Sequence, residues 1–167
     1  MPRLHSLELV PDAAGCDAVR RDWQALRDAG LPSQLDHRGT SNTPHLTLLA
    51  APVLRAADEE RAVGLISRLL PLEVRVAGIA LLGGARVTVA RVVDVPDELV
   101  RAVLDLRADV PDVQHPGWLP HVTLARRIRR ADVPAALEVI GHDDVVLGLA
   151  TLRRWDPDTG TVRTCSP

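Results

Sequence analysis

PHLTL at residues 44–48 recurs as PHVTL at residues 120–124, once in each half of a chain of 167 residues. Two of the six histidines, His45 and His121, therefore lie in the same short context. A single His-x-Thr match carries little information, but at this composition two Pro-His-x-Thr matches arise by chance well under ~1% of the time. The repeat therefore predicts two related units of structure, each presenting a histidine and a threonine.

Each repeat has the alternation of a β-strand, in which residues i and i+2 point to the same face. His45 and Thr47 therefore share one face of the first strand, while the leucines beside them anchor the other face in the core. His121 and Thr123 are related in the same way. Because threonine is β-branched and stiff at χ1, its hydroxyl is held in place at low entropic cost. Together the two strands predict a cleft lined by two imidazoles and two hydroxyls.

Outside the repeats, both halves follow one order of elements: strand, helix, extended segment, repeat strand, helix and strand. The predicted strands are 3–10, 44–49, 72–82, 85–93, 120–125 and 143–155, and the predicted helices are 12–29, 58–70, 96–110 and 132–140. This order predicts an α+β fold with antiparallel sheets, helices outside and a central cleft. We expect one domain over residues 1–167, built from two pseudo-symmetric lobes at approximately 1–83 and 84–167.

Every basic side chain is an arginine, because the chain contains no lysine. No lysine is available for a Walker-type phosphate loop, a Schiff base or a covalent lysyl-nucleotide intermediate. The composition therefore excludes an ATP-dependent ligase that charges itself through lysine. The net charge of −2 argues against strong nonspecific binding to long nucleic acid, although it is compatible with a short RNA end in a locally basic cleft.

The cellular setting is predicted from the cysteines and from hydropathy. Cys16 and Cys165 have no metal-ligand spacing, and we interpret both as ordinary thiols in a reducing cytoplasm. The sequence has no stretch resembling a signal peptide and none of membrane-spanning length. We expect a cytoplasmic protein that does not bind membranes and acts as a monomer.

Two histidines and two threonines around one cleft suit phosphoryl transfer without a metal or another cofactor. One neutral imidazole takes a proton from the attacking water, and the other, protonated, donates to the leaving oxygen. The threonine hydroxyls donate to non-bridging phosphate oxygens. The dipeptide His142–Asp143 leads into an apolar strand and lacks further ligands, so we predict no metal site. The remaining histidines are interpreted as structural or surface residues: His5, His37, His115 and His142.

The duplicated motif resembles the 2H phosphoesterase superfamily, and in particular its bacterial 2′-5′ RNA ligase and 2′,3′-cyclic phosphodiesterase group. The matching stretches are PHLTL at 44–48 and WLPHVTLAR at 118–126. The resemblance implies hydrolysis of 2′,3′-cyclic phosphate ends of RNA or nucleotides, action on 2′,5′-linked nucleotides, or reversible 2′-5′ RNA ligation without ATP. It implies these site residues: His45 and His121 as the catalytic pair, Thr47, Thr123 and Arg126 as phosphate ligands, and Trp118 as the candidate for base stacking.

Three alternatives stay open at this level. If side chains alternate strictly along the strand from His121, Arg127 lies on the catalytic face. The resemblance points instead to Arg126. We favour Arg126, because a bulge near the end of a strand shifts this alternation by one residue. The resemblance makes His121 the base and His45 the acid, but pseudo-symmetric lobes permit the reverse. The alternative function is a non-catalytic module of the same fold that binds RNA ends or nucleotides, and two intact motifs argue against it.

Overall fold

The computed structural model describes residues 3–39 and 41–165 of the chain, which form seven strands and four α-helices. The strands are β1 (His5–Pro11), β2 (Leu46–Ala51), β3 (Leu72–Gly83), β4 (Arg86–Asp94), β5 (His121–Arg129), β6 (Val145–Asp156) and β7 (Thr161–Thr164). The helices are α1 (Ala13–Asp28), α2 (Ala56–Ile66), α3 (Asp97–Ala108) and α4 (Val133–Ile140). Only β7 has no counterpart among the predicted elements.

All strand pairs are antiparallel. The sheet order is β1-β2-β5-β4-β3-β6-β7, and an additional ladder between β1 and β6 closes the pairings into a circuit. The motif strands β2 and β5 meet at a single register pair, Leu46 opposite Val122. The predicted α+β class with antiparallel pairing is confirmed. The two motifs therefore lie side by side where the sheet is most sparsely paired.

Strands from the two halves of the sequence are interleaved. β1 pairs with β6 over residues 6–11 and 149–155, whereas β3 and β4, on either side of residue 84, pair with each other. The division into lobes at 1–83 and 84–167 stays a prediction. None of the helices in the described residues has the length and apolar character needed to cross a membrane.

The helix α1 shows why the predicted helices form and where they pack. Asp12 caps its N-terminus by accepting a hydrogen bond from Gly15 N at 2.7 Å, which satisfies a donor that the helix itself leaves free. Val19, Trp23 and Leu26 recur at helical spacing and are buried, so one face packs on the sheet. The indole Nε1–H of Trp23 also donates to the Thr123 carbonyl at 3.1 Å.

Each motif strand buries one face and leaves the other accessible. Leu46 and Leu48 of β2 and their counterparts Val122 and Leu124 of β5 are almost completely buried. The motif histidines and threonines are half-buried on the opposite face. This burial matches the alternation predicted from the i and i+2 spacing.

Each motif strand also contains a β-bulge directly after its threonine. Residues 7 and 8 of β1 pair with residues 49 and 47 of β2, so Leu48 has no partner in the ladder. Residues 89 and 90 of β4 pair with residues 125 and 123 of β5, so Leu124 has none either. A bulge adds one residue to one strand and increases the local twist. The duplication visible in the sequence therefore extends to the backbone geometry of the two motifs.

Candidate active site

The two motif histidines are oriented by equivalent hydrogen bonds. Nδ1 of His45 lies 2.7 Å from the carbonyl oxygen of Thr43, and Nδ1 of His121 lies 2.7 Å from the carbonyl oxygen of Leu119. A carbonyl oxygen only accepts, so Nδ1 carries the proton in both rings. This leaves Nε2 of each ring as the atom that gains or loses a proton in a reaction.

Two cavities meet at the first motif. The smaller, about 600 Å³, is called the two-histidine cavity because both motif histidines line it. The larger, about 860 Å³, is called the side cavity. His45, Thr47, Ala50, Gln114 and Arg126 line both. The first motif and Arg126 therefore stand at the junction of one branched cleft.

All six residues selected from the sequence line the two-histidine cavity: His45, Thr47, Trp118, His121, Thr123 and Arg126. The hydroxyls of Thr47 and Thr123 make no hydrogen bond with any described residue, so both are free to donate to a ligand. Their roles in binding and catalysis remain predictions.

Arg126 and Arg127 occupy a second irregularity of β5. The register passes from Val89 opposite Ala125 to Val87 opposite Ile128, so the two arginines face a single residue of β4. Arg127 adopts a left-handed backbone conformation with φ of 63°, which is uncommon for a residue with a Cβ. Arg126 therefore lines both cavities, while Arg127 lines only the side cavity. Simple strand parity, which pointed to Arg127, takes no account of the bulge at Leu124 between His121 and the arginines. The choice of Arg126 as the phosphate ligand stays a prediction.

Trp118 belongs to the segment between α3 and β5 and forms a wall of the two-histidine cavity. Its indole Nε1–H donates to the Thr47 carbonyl oxygen at 3.0 Å. Trp23 makes the equivalent bond to the carbonyl of Thr123. Each motif threonine is therefore fixed through its backbone by one indole, and the partly exposed ring of Trp118 is positioned to contact a ligand.

The segment carrying Trp118 is attached to β2 at one further point, and the adjoining end of α3 is attached to β2 at another. Gln114 N donates to the Ala50 carbonyl at 2.8 Å, and Arg107 Nη1 donates to the Leu48 carbonyl at 2.9 Å. Arg107 also donates to the carbonyl of His115, and burial lowers the pKa of its guanidinium. These bonds join the end of α3 and the following segment to β2 and so fix one side of the cleft.

A buried charge cluster that the motif search did not identify lies beside His45. The Glu8 carboxylate accepts from Arg153 Nε at 2.7 Å and from Ser6 Oγ at 2.6 Å, and Glu8 Oε1 is 3.7 Å from Nε2 of His45. Burial raises the pKa of Glu8, but the charges of His45 and Arg153 and these hydrogen bonds outweigh it, so the pKa lies below its ordinary value. The sequence signal was a carboxylate between two core leucines, Leu7 and Leu9.

The other histidines fit their expected structural or surface positions. His37 and His115 are exposed at the rims of the side cavity and the two-histidine cavity, and His142 is exposed. His5 is buried, with Asp156 and Asp158 near its ring. Among the described residues this is the one group with metal-ligand geometry, and none of its members lines either cavity. Both cysteines are buried free thiols.

Comparison with known proteins relates most of the chain to one family. The profile of the 2′-5′ RNA ligase superfamily matches residues 16–161. Structures of E. coli LigT complexed with 3′-AMP and with NADP⁺ have sequences 18% and 16% identical to this chain. Each alignment covers 98% of this chain and 94% of the LigT chain, with a TM-score of 0.54. The MHV ns2 PDE domain is 12% identical over 96% of this chain and 97% of its own, with a TM-score of 0.52. These structures share the fold. No curated protein sequence matches the chain.

Proposed function

Because this chain belongs to the 2′-5′ RNA ligase superfamily, we propose that it is a metal-independent phosphoesterase that hydrolyses 2′,3′-cyclic phosphate ends of RNA or nucleotides. The observation that carries the proposal is the matched pair of histidines: both use Nδ1 to bind a backbone carbonyl, and both line one cavity. The joining of RNA ends by a 2′-5′ bond without ATP needs the same groups, with a 5′-hydroxyl in place of water as the nucleophile that opens the cyclic phosphate and the ribose 3′-oxygen as the leaving group.

The proposed reaction uses one histidine as base and the other as acid. The base takes a proton at Nε2 from a water molecule that attacks phosphorus, and the acid gives its Nε2 proton to the ribose oxygen as the P–O bond breaks. Thr47, Thr123 and Arg126 donate hydrogen bonds to the non-bridging oxygens, whose charge must be held during transfer. Cyclic phosphate and water thus become a phosphomonoester.

A nucleotide fits the size and walls of the two-histidine cavity. Its volume of about 600 Å³ lies within the usual range for small-molecule sites. The Trp118 ring and the exposed side chains of Leu82 and Leu119 offer apolar surface for a base. Structures of E. coli LigT complexed with 3′-AMP and with phosphate support a nucleotide ligand for this fold.

The deciding experiment is a substrate panel with identified products, run in excess chelator and without ATP. The panel contains 2′,3′-cyclic nucleotides, 2′,5′-linked dinucleotides, and RNA ends with a 2′,3′-cyclic phosphate or a 5′-hydroxyl. We expect cyclic phosphates to be opened by the parent protein and not by the His45→Ala variant. Binding of these ligands without turnover would instead support the alternative, a non-catalytic RNA-end or nucleotide-binding module.

A further inference from the structure

The two motifs differ in the residues that lie beside them. The register places Glu8 of β1 opposite the first motif threonine and Ala90 of β4 opposite the second, each at the bulge. On the next strand outward, Arg153 lies opposite Glu8 and Ala80 lies opposite Ala90. A buried ion pair therefore occupies, beside the first motif, the positions that two alanines occupy beside the second.

The hydrogen bond at Nδ1 determines what the Glu8 carboxylate does to His45. Since Nδ1–H donates to Thr43, a neutral ring presents a lone pair on Nε2 to the carboxylate oxygen 3.7 Å away. A charged ring presents an N–H group to the same oxygen. The ionised carboxylate, itself buried, therefore favours the charged ring through Coulomb attraction that water screens only weakly.

We propose that Glu8 is a positioning residue that keeps a proton on Nε2 of His45 and thereby makes His45 the acid. This inference rests on the proposed function. Among the described residues no carboxylate forms an ion pair with His121, so His121 accepts the proton of the attacking water. As the P–O bond breaks, the leaving ribose oxygen takes the Nε2 proton of His45, and the hydroxyl of the water stays on phosphorus.

Other charges near His45 make Glu8 necessary for this role. Nη2 of Arg153 lies 3.4 Å from Nδ1 of the ring, and this guanidinium disfavours a second positive charge. The remaining charged or titratable groups around the two cavities are Asp36, His37, Arg86, Arg107, His115, His121, Arg126 and Arg127. Four of these eight groups are arginines, which are cationic at neutral pH, and one, Asp36, is a carboxylate. Without Glu8, the immediate surroundings of the ring would therefore oppose its charged form.

The test compares two leaving groups in the Glu8→Gln variant, which keeps the shape of the side chain and removes its charge. On a 2′,3′-cyclic nucleotide we expect kcat to fall roughly 10–100-fold, part of what a general acid contributes, and the alkaline limb of the rate profile to move to lower pH. On the analogue with sulfur as the leaving atom, which needs no acid, we expect kcat within about twofold of the parent. Equal losses on both substrates would overturn the proposal.

Two further variants separate positioning from stability. Glu59→Gln is the matched control, since the Glu59 side chain is only 12% exposed and its Oε2 pairs with Arg154 Nη1 at 3.1 Å, away from the cleft. Glu59→Gln should lower the free energy of unfolding and leave unchanged the ratio of the kcat values on the two substrates. If Glu8→Gln does not fold because Arg153 is left unpaired, the double variant Glu8→Gln/Arg153→Met removes both charges. This double variant should show the same dependence on the leaving group.

A measurement without substrate distinguishes failure of this inference from failure of the proposed function. Ring signals of labelled histidine in the substrate-free protein should show His45 keeping its second proton to higher pH in the parent than in Glu8→Gln. The His121 signals should be the same in both proteins. An unchanged His45 titration would overturn the role of Glu8 even in an active enzyme. A parent protein that turns over nothing would overturn the proposed function and leave this titration decisive for Glu8.

Discussion

At the scale of single residues, the direction of each motif histidine depends on a backbone group. Nδ1 of His45 and of His121 binds the carbonyl two residues earlier in the chain. Such a bond fixes the tautomer and the plane of the ring at the same time. A ring that is already oriented loses little entropy when the substrate binds. The exchangeable proton of each ring is therefore at Nε2.

Removal of either imidazole should remove a proton-transfer group. We expect His45→Ala and His121→Ala each to lower kcat on a 2′,3′-cyclic nucleotide roughly 10²–10⁴-fold. The double variant should be little worse than either single one if the pair acts as a unit. His142→Ala, which changes an exposed histidine, is the control and should keep parental activity. Near-normal turnover in either single motif variant would contradict the mechanism.

Trp118 should contribute to binding through its ring and to geometry through its Nε1–H. Base stacking on an aromatic ring contributes about 1–3 kcal/mol, so Trp118→Ala should raise KM for a cyclic nucleotide roughly 5–150-fold. Trp118→Phe should keep most of the binding, because the ring remains. Trp155→Ala is the matched control, since Trp155 lines only the side cavity. An unchanged KM in Trp118→Ala would rule out stacking.

At the scale of elements, boundaries differ from the prediction where side chains outside the hydrophobic pattern form the caps. The helix predicted at 58–70 begins at Ala56, and its last predicted turn is a separate 3₁₀ turn at Ser67–Leu69. Asp58 lies inside the first turn and accepts hydrogen bonds from Arg55 N at 2.8 Å and Arg55 Nε at 3.0 Å. Hydrophobic spacing locates the body of a helix, whereas such local bonds decide where it starts.

Asp58 should stabilise the fold in a pH-dependent way. Hydrogen bonds from Arg55 hold the pKa of the Asp58 carboxyl below its ordinary value. A depressed folded-state pKa gives stability that is present above the unfolded-state pKa and is lost as the pH falls. We expect Asp58→Ala to lower the free energy of unfolding by about 1 kcal/mol at pH 7.

Urea unfolding of the parent and of Asp58→Ala at neutral and acidic pH checks this expectation. The difference between the two proteins should shrink below about pH 4, near the ordinary pKa of aspartate. The control is Asp97→Ala, which removes an exposed carboxylate from the first turn of α3 and should change stability by a few tenths of a kcal/mol. A pH-independent difference for Asp58→Ala would show that its ionisation is not involved.

At the scale of the whole molecule, the sequence predicted the structure of short segments better than the pairing of segments that are distant in the chain. The repeated pentapeptides identified both motifs and the faces that carry them, because period-2 alternation is local. The ladder between β1 and β6 joins residues near opposite ends of the chain, and no local pattern encodes that pairing. Glu8 and Arg153 meet only through this ladder, so sequence analysis found the motif histidine and not its charged neighbours.

Hydrolysis of a cyclic phosphate by this protein should need no divalent ion. The described residues that line the two-histidine cavity include histidines, threonines and arginines but no carboxylate. Carboxylates are the usual oxygen ligands of magnesium and calcium. We expect turnover of a 2′,3′-cyclic nucleotide to persist in excess chelator. A metal-dependent phosphatase assayed in the same buffer is the control for effective chelation. Loss of activity that a divalent ion restores would contradict the mechanism.

The indole hydrogen bonds to the two motif threonines place tryptophan fluorophores beside the cleft. The chain contains neither Tyr nor Phe, so its intrinsic near-ultraviolet fluorescence comes from Trp23, Trp118 and Trp155. Trp23 is bonded to the backbone of one motif and Trp118 to that of the other, while Trp155 lines the side cavity. Trp118 and Trp155 thus line the cleft, and Trp23, on α1, is bonded to a strand that forms it. Emission intensity and wavelength therefore report ligand entry directly, without an attached dye.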